Sequence, residues 1–354
     1  MTDETVNLSL VPDWGTESVA PPKTRVIDVH THLTVIAAAE AAHPLFSPQK
    51  DPRARFASAE SNTYNEAMRA RVAGKFTDPE EKLRDMARMG VSMQVLAIAP
   101  FQYYQWADLP LGAELSRLQN DRIAEVVSLY PDSFAGLGTL PLQDLPTAVE
   151  ELSRVVSELG LPGVMINTSV SGRDLDFPEF EPLWARAEEL SILVALHPYG
   201  FDAADRMGDY YLTNVLGIPL ESTIALSRLI LGGVLHRHPG LKLLVVHGGS
   251  FLAFYFARTD HAFRHRPELR HHIDRLPSEY LSRVYFDTAV HSSHMVEHLV
   301  RHFGAEHVLL GTDYPFDMGV QDPVGLVAGA EGLSEAEREL ILGGNAARLL
   351  GLRL

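Results

Sequence analysis

No cysteine occurs among the 354 residues, which excludes disulfides, thiolate metal sites and cysteine nucleophiles in one step. Any metal would rest on histidine and carboxylate. Positive charge is scarce: 30 Lys and Arg stand against 46 Asp and Glu, a formal net charge of −16. A nucleic-acid or anionic-membrane partner would need a local basic patch to overcome that field. The nearest approach to one, around Arg258, Arg264, Arg266 and Arg270, is interleaved with histidines and apolar residues. No uninterrupted apolar run approaches the ~18 residues of a membrane helix, and the acidic, polar stretch Met1 to Pro22 lacks the order of a signal peptide. Glycine-rich phosphate turns are missing as well. Gly136-Leu-Gly138, Gly232-Gly233 and Gly343-Gly344 are followed by no Walker lysine. The absences together predict a cytoplasmic protein with a small-molecule partner and no nucleic acid or membrane.

What is present is an ordinary globular composition, 46% hydrophobic and 21% charged. Residues 1–24 read as a flexible arm and 25–354 as one folded unit. Short apolar runs of strand length recur at Arg25–His30, Met93–Ala99, Phe134–Thr139, Gly163–Asn167, Ile192–His197, Lys242–His247, Val284–Asp287 and His307–Asp313. Segments of helical spacing separate them. In the first, Asp78 can cap, Pro79 suits the first helical position, and Leu83, Met86, Ala87 and Gly90 share a face. Near-continuous apolar strands alternating with helices indicate a parallel sheet covered by helices. Eight such units close into a (β/α)8 TIM barrel, an α/β fold. The rival, an open doubly wound sheet, often carries the phosphate turn that is missing here. Residues 33–77, with Pro44, Pro48 and Pro52 and little periodicity, read as an insertion covering the barrel mouth.

Four of the eight runs end in a residue able to bind a metal or move a proton: His30 with His32, His197, His247 and Asp313. In a barrel the C-terminal strand ends face the catalytic mouth, so these residues would converge. Any one of them alone reads better as a core side chain satisfied by backbone; four at strand ends read as a site. Alternation puts Val26, Asp28, His30 and His32 in one row, so with that row inward both imidazoles reach one ion, and Asp28 beneath them could orient a ligand or bond to backbone. Three imidazoles and a carboxylate, His30, His32, His197 and Asp313, suit one divalent ion: zinc first, with manganese or iron also compatible. None of the five lysines, Lys23, Lys50, Lys75, Lys82 and Lys242, closes a strand at the mouth. That disfavours a lysine-bridged metal pair and Schiff-base chemistry.

His247 precedes Gly248-Gly249-Ser250 and a helix, which fits a general acid/base beside glycines that admit substrate better than a fifth ligand. Ser250 fails the nucleophile-elbow pattern. His294, His298 and His302 recur along a helix beside the stripe Met295, Leu299 and Phe303 and read as a solvated face, whereas His291 stays open.

At Ile27-Asp-Val-His-Thr-His32, Phe134-Ala-Gly-Leu-Gly-Thr-Leu-Pro-Leu-Gln143, Leu196-His-Pro198, Ile218-Pro-Leu-Glu-Ser-Thr-Ile-Ala225, His247-Gly-Gly and Leu310-Gly-Thr-Asp-Tyr-Pro-Phe316, the chain resembles the metal-dependent decarboxylase branch of the amidohydrolase superfamily. The resemblance covers nearly everything after Arg25. It implies metal ligation by His30, His32, His197 and Asp313, with His247 as acid/base and Asp313 in the catalytic set. It implies substrate contacts from Phe316 and from an arginine of the insertion, Arg69 in preference to Arg71. It also implies a homodimer in which Arg258 reaches the neighbouring site. The chain departs from the family pattern at two places: Tyr199-Gly200 stands for Trp-Asp, and Ser250 for a third glycine.

The implied reaction is non-oxidative loss of CO₂ from a conjugated acid of muconate-semialdehyde or hydroxybenzoate type. The alternative is hydrolysis or hydration by the same ion. A barrel that has lost activity and serves as a binding protein is the third reading, disfavoured because every ligand position is filled.

Overall fold

The structure is a computed structural model that describes residues 24–352. The N-terminal arm expected over 1–24 therefore lies almost wholly outside the described residues.

Eight parallel strands form the core: β1 (Ile27–Leu33), β2 (Met93–Ile98), β3 (Phe134–Gly136), β4 (Gly163–Ile166), β5 (Leu193–Leu196), β6 (Lys242–Val245), β7 (Tyr285–Asp287) and β8 (Val308–Leu309). Each falls within or overlaps one of the eight apolar runs. β1, β2 and β3 pair in that order, and β4 to β8 pair in sequence. Backbone bonds close both seams. Gly138 N–H donates to Gly163 O at 2.9 Å and Met165 N–H to Gly138 O at 2.8 Å, while across the other seam Val29 N–H donates to Leu310 O at 2.9 Å and Asp313 N–H to His30 O at 2.8 Å. The result is a (β/α)8 barrel.

Ile27, Val29, Met93, Val95, Ala97, Met165, Leu193, Ala195, Leu244, Val246 and Leu309 fill the interior. Alternate residues such as Ile98, Val164, Val194 and Val245 pack outward on the helices. The phase on β1 differs from simple alternation: the register shifts between Asp28 and Thr31. Ile27 and Val29 face in, and the irregularity brings His30 and His32 round to the mouth, leaving Asp28 on the opposite face.

The helix Pro79–Met89 shows how local chemistry sets the outer layer. The Asp78 side chain accepts from Glu80 N–H, Pro79 occupies the first turn, and Gly90 at φ 71° ends the helix in the left-handed conformation that glycine adopts freely. Met86 and Met89 are its buried apolar face. Between β1 and β2 the chain is helical where low periodicity suggested irregularity, with helices at Ile36–Ala42, Pro52–Phe56, Ala59–Arg71 and Ala73–Thr77. Side-chain caps start two of them, Asp51 and Ser58, and the longest buries only Met68, so an amphipathic pattern had little to register.

Among the described residues, one helical span, Thr213–Leu231, is long and apolar enough by length and composition to cross a membrane. It lies between β5 and β6, and its Ala225, Leu226, Leu229 and Ile230 are buried.

Candidate active site

The strand ends converge at the mouth. Asp313 Oδ1 lies 3.2 Å from His30 Nε2, 2.9 Å from His32 Nε2 and 3.6 Å from His197 Nε2. One donor atom from each of His30, His32, His197 and Asp313 lies within 4.8 Å of every other, and all four residues are buried. His30 Nε2 and His197 Nε2 have no hydrogen-bond partner. Buried polar atoms ordinarily find one, so unpartnered ring nitrogens aimed at a shared carboxylate fit a cation between them. The cluster forms a single divalent-metal site. It is the only such group found among the described residues.

Local electrostatics suit that role. Burial drives His32 down to about 4 and His197 well below the usual imidazole range, so both are neutral donors at neutral pH. Burial also opposes charge on Asp313, yet the imidazoles around it, His30 foremost, hold it well below the usual carboxylate range. On His30, desolvation is outweighed by Asp313 and Asp287, which raise it to about 10. The negative field that would hold a proton there is the field a metal ion would occupy.

His30 is fixed from behind. Its Nδ1 donates to Asp287 Oδ2 at 2.6 Å. His197 Nδ1 donates to Pro198 O at 2.8 Å. Such outer bonds set ring orientation and tautomer. Asp287 is a functional candidate that the sequence reading missed, although it too ends an apolar run. Asp28, read as a possible support for a ligand ring, instead accepts from the backbone N–H of His30 at 3.1 Å and of Thr312 at 3.0 Å, and from Thr312 Oγ1 at 2.6 Å. Its place outside the barrel interior makes it a clamp on the seam between β1 and β8.

His247 Nε2 lies 3.6 Å from the other Asp313 oxygen, Oδ2. The backbone from His247 to Ser250 takes four consecutive positive φ values, 54°, 61°, 71° and 56°. A β-carbon at Gly248 would meet Val290 Cγ1 at 2.2 Å, and one at Gly249 would meet the Phe286 ring at 2.5 Å. Glycine is therefore required at both. His247 and Ser250 adopt the same strained region as non-glycines, as does Asp313 at φ 63°.

A cavity of about 410 Å³ opens above these residues. His197, His247 and Asp313 line it, as do Phe316, whose ring meets the edge of His32 at 5.1 Å, and His291. Arg69 contributes from the segment after β1, with its Nε donating to Asn65 O at 3.3 Å, and Arg53 lines the same wall. Arg71 is exposed and outside the lining. Arg258 is exposed on the helix Ser250–His265 and is likewise outside this chain's cavity.

A parallel barrel with one three-imidazole, one-carboxylate centre at its C-terminal mouth defines a metal-dependent barrel enzyme. The chain belongs to the amidohydrolase family, whose profile matches residues 27–352. It is 38% identical over 276 residues to 2-amino-3-carboxymuconate-6-semialdehyde decarboxylase of Dictyostelium discoideum, covering 78% of this chain and 77% of that one. It is 28% identical over 294 residues to γ-resorcylate decarboxylase of Rhizobium sp. (strain MTP-10005), covering 77% and 87%. The crystal structure of 5-carboxyvanillate decarboxylase from Sphingomonas paucimobilis matches with a TM-score of 0.84 at 27% identity, over 93% of this chain and 100% of that one.

Proposed function

We propose that this chain is a metal-dependent, non-oxidative decarboxylase of a conjugated carboxylic acid, of the muconate-semialdehyde or hydroxybenzoate type. The observation that carries the reading is the approach of His30, His32 and His197 to one oxygen of Asp313 while His247 faces the other. A divalent ion held by the first four residues, zinc by donor chemistry with manganese compatible, supplies positive charge where substrate oxygens bind and electron density collects.

Loss of CO₂ breaks a carbon–carbon bond and leaves its electron pair on carbon, which must gain a proton. His247, its Nε2 3.6 Å from Asp313 Oδ2, is the group that delivers that proton. Phe316 packs the substrate plane against the floor beside His32. Arg69 pairs with a substrate carboxylate from the wall. Arg258, exposed and outside its own cavity, completes the site of a second copy in a homodimer. The protein acts in the cytoplasm on a soluble acid.

The test is CO₂ release from a panel of conjugated and hydroxylated aromatic acids by the metal-loaded protein. Stoichiometric CO₂ with the decarboxylated product is the expected result. Turnover of panel members without CO₂, as in hydrolysis or hydration at the same ion, would overturn it.

A further inference from the structure

A lysine sealed inside the outer layer of the barrel takes no part in the reaction described above. The helix Pro79–Met89 buries Lys82, Asp85, Met86 and Met89, one face at helical spacing. Two of those four core positions carry ionisable groups, and Lys82 is 0% exposed. Lysine is almost never buried so fully without a partner, because loss of water opposes its charge. Its Nζ donates to the backbone oxygen of His32 at 2.7 Å and lies 4.7 Å from the centre of the Tyr314 ring. Asp85, one turn on, pairs with Lys75 and accepts from the Tyr314 hydroxyl at 2.8 Å. The backbone N–H of His32 in turn donates to Tyr314 O at 2.8 Å. His32 belongs to the metal cluster, and Tyr314 directly follows another member of it, Asp313. From behind the barrel wall, one helix therefore grips both segments.

The three imidazoles of the cluster are held in different ways. His30 Nδ1 donates to Asp287 and His197 Nδ1 to Pro198 O. His32 Nδ1 is buried with no hydrogen bond, the Ile98 carbonyl standing near but short of one. No outer hydrogen bond fixes the tilt of this ring, so its aim depends on the backbone that carries it. That backbone is pinned through its N–H by Tyr314 O and through its C=O by Lys82 Nζ. A bond from an ammonium is charge-assisted and holds more firmly than one between neutral groups.

We infer that Lys82 is a positioning residue for the metal centre: its ammonium, acting on the His32 carbonyl from outside the barrel, sets the stance of the one ligand ring that lacks an outer hydrogen bond. Asp85, through Tyr314, is the second arm of the same brace. The inference rests on the four-residue metal site of the proposed decarboxylase and not on its reaction.

The test titrates the metal-stripped full chain with Co²⁺ against a competing chelator and records the visible absorption of the bound ion. Lys82→Met keeps an unbranched stem and removes the ammonium. It is expected to bind Co²⁺ about tenfold or more weakly, the scale for losing an outer partner of a ligand, and to shift the absorption bands, which report ligand geometry. Lys82→Arg, which returns a cationic donor, is expected to recover affinity and spectrum. Both are read well below the unfolding temperature of each variant, which is measured separately. A merely structural lysine would lower that temperature and leave the affinity and spectrum of the folded protein as in wild type, which overturns the inference. An arginine variant no better than the methionine one also overturns it. Should Lys82→Met fail to fold, Tyr314→Phe loosens the second arm without removing volume: a severalfold loss with shifted bands is expected, and wild-type values overturn the inference. CO₂ release enters neither readout, so failure here leaves the decarboxylase reading standing, and failure of that reading leaves metal affinity unmoved.

Discussion

Asp287 joins two parts of the site that lie far apart in sequence. Its Oδ2 accepts from His30 Nδ1 at 2.6 Å, and its Oδ1 accepts from the backbone N–H of Gly248, beside His247, at 2.8 Å. One buried carboxylate therefore orients the ring of a candidate metal ligand and anchors the loop bearing His247, the proposed proton donor. Asp287→Asn should weaken metal affinity about 10- to 100-fold, the usual effect of removing an outer partner from a ligating imidazole. Competitive titration against a chelator measures it, and unchanged affinity would assign Asp287 to the loop alone.

Metal loading should release a proton. Asp313 and Asp287 overcome burial and hold His30 up to about 10, so below that value the metal-free ring is protonated, whereas a ligating ring must be neutral. Near pH 7, about one proton per ion should appear in calorimetry run in buffers of different ionisation enthalpy. The release should fade as pH rises through about 10, because the ring is then already neutral. His32, driven down to about 4 by burial, contributes none at neutral pH.

His247→Ala should keep stoichiometric metal and lose at least about 100-fold in turnover, the lower range for a general acid. Metal analysis and CO₂ release on the same sample separate the two effects. Undiminished turnover would move the proton to another group.

Gly249→Ala should destabilise by about 2 kcal/mol or more, because a β-carbon there meets the Phe286 ring at 2.5 Å and φ is 71°. Thermal unfolding measures the loss. A variant as stable as wild type would show that the loop relaxes freely.

Mixing inactive His247→Ala and Arg258→Ala proteins should restore CO₂ release if Arg258 serves the partner's site. Random exchange between dimers leaves roughly one site in four with both residues intact. No recovery after confirmed exchange would confine Arg258 to another role.

The barrel and its metal cluster were legible because both obey short-range rules. Strands buried on both faces read as apolar runs, and His197 and Asp313 are the residues at which those runs stop. Asp287 obeyed the same rule and was passed over because its partner, His30, lies 257 positions away. Alternation on β1 brought His30 and His32 to one site, whereas it misplaced Asp28 because a register irregularity leaves no mark on an alternating pattern.

The seam between β1 and β8 has a mechanical consequence. Asp313 N–H bonds His30 O, Asp28 grips Thr312, and the proposed ion takes donors from both strands, so the first and last staves of the cylinder are bolted together at its rim. Cargo at that rim works as a hoop, and a loaded protein would resist unzipping from either terminus more strongly than an empty one.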